Sequence, residues 1–196
     1  MTRRAATLVD GFLEEAIAEG ATLEDGGWLG LAAVATTAPS ALRARLVDTI
    51  GRTHRFDDLE DVVAEMADLS IERTRELLLD VDRAHVWEPG ITPEITLRHF
   101  EGGPKVRNAV TGLVRIAPGG TFPQHSHVGD ERVLVLQGAF EDDDGHVYRA
   151  GEMAPQPAGS AHSFRAVGPL PLVTVAIVEG GVIIGGVTIP PGDPRG

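Results

Sequence analysis

The chain is 196 residues long, carries a formal net charge of -12 at pH 7 and contains no cysteine. That length suits one large domain or two small ones. The acidity opposes direct binding of nucleic acid, and without thiols any metal must be held by nitrogen and oxygen. No stretch approaches the run of about 18 apolar residues that a membrane span needs. Met1-Thr2-Arg3-Arg4 is not followed by a compact apolar run with a cleavage site, so a cytoplasmic protein is expected.

Apolar residues at helical spacing predict helices over 5–19 (Leu8, Phe12, Leu13, Ile17) and 39–51 (Leu42, Leu46, Ile50). A third is predicted over 57–67, with Leu59, Val62, Val63 and Met66 aligned. Ser70 reads as an N-cap, with Glu72 in the first turn of a helix running to about Ala84. Residues 1–90 hold 18 acidic and 9 basic side chains, a net of -9, against -3 for the remainder. Helices expose more charged positions than a barrel does, which accounts for the bias; a basic partner for the helical half is the sharper explanation.

The pattern changes at Trp87-Glu88-Pro89-Gly90. Short alternating stretches follow at Ile95–Phe100, Val110–Ile116, Arg132–Phe140 and Leu172–Val178, separated by turn residues such as Asp142-Asp143-Asp144-Gly145. Many short, closely spaced strands imply a sandwich or barrel. The fold class expected is therefore α+β: a helical domain over 1–88, then a β domain over 92–190. The second half of the chain also holds more β-branched apolar residues, in Leu172–Val178 and Gly181–Ile189, than one small barrel core needs, which predicts a homodimer or larger assembly held through strands.

The strongest chemistry lies in two blocks. In the first, His125 and His127 are two apart, so a strand projects both from one face. Glu131 lies across the Val128-Gly129-Asp130 turn, where the next strand can return its carboxylate towards the imidazoles. In the second, Pro157 and Gly159 make a turn that can deliver His162 to the same cavity. By strand alternation Gln137 shares the inward parity of Glu131 and Phe164 that of His162, and Tyr148 and Arg98 are further candidates to reach the site. His54, His85, His99 and His146 read as surface or satisfied core residues.

These blocks resemble the two signature motifs of the cupin superfamily, G-x5-H-x-H-x3-E-x6-G and G-x5-P-x-G-x2-H-x3-N. The first is matched at every defined position from Gly119 to Gly138. The second is matched at Gly151, Pro157, Gly159 and His162, with Ala166 in place of the asparagine, which is not a ligand in the family. The resemblance implies a double-stranded β-helix (jelly-roll) barrel with His125, His127, Glu131 and His162 as metal ligands. Such a donor set accepts zinc first, with iron, nickel, manganese or copper also compatible.

Across its length the chain is similar to the ChrR-type anti-sigma proteins, in which a helical sigma-binding domain precedes a cupin barrel. The similarity rests on Pro123–Gly138 and Pro157–Ser163 in the barrel and on Pro39–Leu46 in the helical half. The zinc site of the helical domain in those proteins uses histidine and a Cys-x2-Cys pair, and has no counterpart here. The resemblance implies a regulatory protein whose helices bind a sigma factor and whose barrel senses a small molecule or oxidant. The alternative is a metal-dependent cupin enzyme, a dioxygenase or isomerase acting on a small oxygenated substrate.

Overall fold

The computed structural model describes residues 55–193. The helices expected over 5–19 and 39–51 lie outside them. The chain divides into two compact units, Met1–Asp58 and Leu59–Gly196. Among the described residues, the second contains two α-helices and twelve β-strands, a predominantly β jelly roll.

Helix α1 (Glu60–Ala67) buries Val63, Ala64, Met66 and Ala67, while Val62 is exposed, so the apolar stripe is narrower than its sequence reads. It stops at Asp68, whose left-handed φ of 55° turns its carbonyl towards Gly103. A Cβ on Gly103 would lie 1.9 Å from that oxygen, so only glycine fits there. Helix α2 (Ile71–Leu79) begins as expected, with the Ser70 hydroxyl accepting the Arg73 N–H at 3.3 Å. It ends five residues earlier than predicted. Single 3-10 turns follow at Asp80–Asp82 and Ala84–Val86, because the buried Asp80 carboxylate is drawn to Arg83 and Arg98, at 2.9 and 3.1 Å.

The strands are β1 (Glu88–Pro89), β2 (Ile95–His99), β3 (Ala109–Ile116), β4 (Thr121–His127), β5 (Glu131–Gln137) and β6 (Ala139–Asp142). They continue as β7 (Val147–Arg149), β8 (Met153–Gln156), β9 (Ala161–Val167), β10 (Leu172–Glu179), β11 (Val182–Ile184) and β12 (Val187–Ile189). Two antiparallel six-stranded sheets form, in the orders β1-β2-β3-β10-β5-β8 and β12-β11-β4-β9-β6-β7. The single strand predicted over Arg132–Phe140 is in fact two, one in each sheet. Gly138, at φ 75°, makes the crossing, and a Cβ there would meet the Pro171 carbonyl at 2.8 Å.

Val133, Val135, Phe140, Phe164 and Leu172 fill the space between the sheets. Strand β10 pairs with β3 on one side and β5 on the other, so its apolar run reflects a central strand rather than a free edge. The outer face of β2 and β3 receives the segment after α2. Arg98 pairs with Asp80, and the Arg115 guanidinium donates to the Val81 carbonyl and lies 4.0 Å above the Trp87 ring.

Candidate metal centre

Three of the four candidate ligands sit on one sheet and the fourth on the other. His125 and His127 come from β4, and His162 lies opposite His125 on the neighbouring β9. Glu131 is the first residue of β5, across the barrel. A bulge between Phe122 and His125 inserts one extra residue into β4 relative to β9. It sets His125 in register with His162 and frees the Pro123 carbonyl to turn back on the imidazole.

All four side chains are buried, and one donor atom from each lies within 4.8 Å of the rest. The His125 and His162 Nε2 atoms are 3.1 Å apart; Glu131 Oε2 is 3.1 Å from His127 Nε2 and 3.5 Å from His162 Nε2. Bonds of about 2.0 to 2.1 Å at angles of about 90 to 110° give donor separations of about 2.8 to 3.4 Å, so these spacings come close to those around a common ion. His127 Nε2 and Glu131 Oε2 are close enough to pair, yet neither makes a well-oriented hydrogen bond, although both are fully buried. Two orphaned polar atoms aimed at one point are costly unless a cation completes them.

The far side of each ring is occupied. His125 Nδ1–H donates to the Pro123 carbonyl at 2.9 Å, and His162 Nδ1–H to Asp142 Oδ1 at 2.9 Å. His127 Nδ1 is 3.0 Å from the Ser160 hydroxyl. Carbonyl and carboxylate oxygens only accept, so the first two rings must carry their proton on Nδ1 and present an Nε2 lone pair inward. Asp142 is buried and also accepts from the Asp143 N–H at 2.9 Å and from Gln156 Nε2 at 3.0 Å.

Burial presses the His125 pKa down to about 4, so the ring is neutral and available as a ligand near pH 7. Burial alone would raise the Glu131 carboxyl, but the His127 and His162 contacts outweigh it and hold the group at about 2, fully ionised. Burial likewise opposes a charge on His162, yet Glu131 and Asp142 prevail and raise its pKa.

His125 and Glu131 also line a cavity of about 80 Å³ in the barrel bore. Phe164 faces it, as strand parity predicts, whereas Gln137, Tyr148 and Arg98 do not. Gln137 is turned away because Leu136 is an extra residue opposite β10, which breaks the alternation, and its amide donates to the Pro171 carbonyl. Tyr148 stacks on Phe140, and Arg98 is held outside by Asp80. His99, read from sequence as a bland residue, lines the cavity together with Thr174. Asp142, Ser160 and Gln156 were not singled out by sequence reasoning either; an acidic turn following a strand is too common a pattern to mark one carboxylate.

A protein-family model described as the ChrR cupin-like domain matches residues 75–175. No curated protein matches the chain. Among solved structures, similarity is found to Rhodobacter sphaeroides SigE in complex with the anti-sigma ChrR, at 23% identity over 71% of this chain and 77% of that one, with a TM-score of 0.48. An acetylacetone dioxygenase from Acinetobacter johnsonii is 16% identical over 56% of this chain and 83% of its own, with a TM-score of 0.47. KdgF from Halomonas sp. is 22% identical over 50% and 89%, at 0.42. None of the three carries a residue role or an activity over to this chain.

Proposed function

Since the chain belongs to the ChrR cupin-like domain family, we propose that it is a ChrR-like regulatory protein whose barrel, residues 92–190, holds one divalent transition metal. His125, His127, Glu131 and His162 are its ligands, and zinc is the first choice on the all-nitrogen-and-oxygen donor set, ahead of iron, nickel or manganese. In this reading the barrel senses a small molecule or oxidant at the metal. Residues 1–88 serve in this reading as an interaction domain directed to a sigma factor, an acidic half suited to a partner with a basic surface. The protein acts in transcription regulation as an anti-sigma factor, in the cytoplasm, as a homodimer joined through the edge strand β12, where Val187 is half exposed.

The observation that supports this best is the convergence of four buried donor atoms, two of them without a well-oriented hydrogen bond, beside a mainly apolar chamber. When bound, the metal supplies Lewis acidity or an open coordination position. The chain's own groups hold the His125 and His162 protons outward, on the Pro123 carbonyl and the Asp142 carboxylate, set the Ser160 hydroxyl against His127 Nδ1, and exclude water with apolar walls. The second reading, a dioxygenase or isomerase for a small oxygenated substrate, is favoured by the chamber meeting His125 and Glu131 directly.

Elemental analysis of purified protein should give one metal per chain, and His127→Ala should lower it several-fold. A pull-down from the native host should recover a sigma factor. Protein that retains the metal, recovers no sigma factor and consumes dioxygen with a small ketone or enol would favour the enzyme. Light scattering at tens of micromolar reads the dimer directly.

A further inference from the structure

The chamber owes its existence to one row of residues across a single sheet. His99, Gly112, Ala176 and Val133 lie side by side on β2, β3, β10 and β5, and all four line it. The two central positions carry the smallest side chains available, so the space between the sheets stays open beside Glu131 and His125. The exposed Ile91 marks where the lining reaches the surface.

Size and charge both limit what can enter. A cavity of about 150 Å³ accommodates benzene, so one of about 80 Å³ suits roughly three or four non-hydrogen atoms. Among the described residues, the lining side chains besides Glu131 and His125 bring only two polar groups, on His99 and Thr174, and no lysine or arginine. The charge of a divalent ion would already be balanced by two buried carboxylates. Glu131 is one, and Asp142, with both oxygens accepting hydrogen bonds, is the other. An anion entering the chamber would therefore leave an uncompensated negative charge in an apolar enclosure.

We propose that this chamber is a binding site for a small neutral oxygen donor, of the short-chain ketone, aldehyde or alcohol class, selected by the Gly112–Ala176 gap and by the absence of any cationic wall residue. The inference rests on the reading of the four-residue cluster as a metal site. The ligand's carbon body occupies the gap, its oxygen faces the Glu131 and His125 end, and His99 offers one hydrogen bond from the wall.

Acetone and acetate test this directly, because they match in size and differ in charge. Full-length protein loaded with Mn²⁺ is titrated with each, and the paramagnetic relaxation of the methyl protons is read alongside manganese per chain. The expected result is one manganese, with acetone binding tighter than acetate by about tenfold or more. Ala176→Val, which fills the gap, should abolish acetone relaxation at unchanged manganese content. Should that variant misfold, Gly112→Ala serves, since its added Cβ meets nothing closer than 3.6 Å, and it should weaken acetone several-fold. Acetate binding as tightly as acetone, or acetone binding unaltered by narrowing of the gap, overturns the proposal while leaving the metal reading intact. Wild-type protein that takes up no manganese, zinc or iron overturns the metal reading and the proposal with it.

Discussion

Asp142 holds His162 from behind, as the Pro123 carbonyl holds His125. Its carboxylate receives the His162 Nδ1 proton, which fixes the tautomer, aims Nε2 inward and strengthens the ring as a donor. Asp142→Asn keeps the shape but replaces an accepting oxygen with an amide able to point its own N–H at the ring. Metal affinity should fall by about 10- to 100-fold, measured by competition with a chromophoric chelator, while far-ultraviolet circular dichroism stays unchanged. A variant with wild-type affinity would show that packing alone orients His162. The contrast between Asp142 and the four inner residues explains what a sequence reveals at this scale. His125, His127 and Glu131 lie within seven consecutive residues and His162 follows a Pro-x-Gly turn, so their spacing carries a pattern. Asp142 reaches His162 from another strand across 20 residues, and only the β6–β9 pairing brings them together. His99 was hidden for the same reason: its neighbours in the chamber, Gly112 and Ala176, come from two other strands.

Among the elements, strand existence was far more legible than strand allegiance. Alternation and turn residues located β2, β3 and β10 within a residue or two. The division of Arg132–Phe140 between two sheets depends on Gly138, and the bulge at Leu136 depends on pairing with β10; neither is a local property. Helix α2 illustrates a tertiary override in miniature. Its N-terminus was readable because Ser70 caps it through its own third-residue contact, whereas its end is set by Arg98, 18 residues beyond Asp80. That ion pair is a device for stopping a helix against a sheet. Asp80→Ala should leave the half-buried Arg98 guanidinium without its carboxylate and release the turn that follows α2. Chemical denaturation should register a loss of about 1 to 3 kcal/mol, with the metal content unaltered. A change of a few tenths would mean that the apolar contacts of Leu77, Leu78 and Val81 hold the segment unaided.

At the scale of the whole unit Leu59–Gly196, one wall serves two purposes. Strands β2 and β3 turn Leu97, His99 and Val114 towards the cavity, while Arg98 and Arg115 on the same strands hold residues 80–87 from outside. The four-residue cluster itself joins the sheets, since three imidazoles belong to one and Glu131 to the other. If the cluster holds an ion, removing it leaves His127 Nε2 and Glu131 Oε2 buried with only each other 3.1 Å away, so the sheets should loosen relative to each other. If the wall transmits, a shift of β5 at Glu131 would pass through β10 to β3 and β2, whose Arg98 and Arg115 hold residues 80–87. A sensing protein needs such a link; a barrel stabilised by a passive helical cap does not. Hydrogen exchange separates the two. In the coupled case, chelating the metal should lower protection of amides in residues 59–88 by about tenfold at the segment following α2, with the β10 amides changing much less. Equal protection with and without metal, in protein whose barrel strands remain protected, would show that the wall transmits nothing. That result would remove the structural basis for sensing through the helices and leave the chamber beside the four-residue cluster as the candidate functional site.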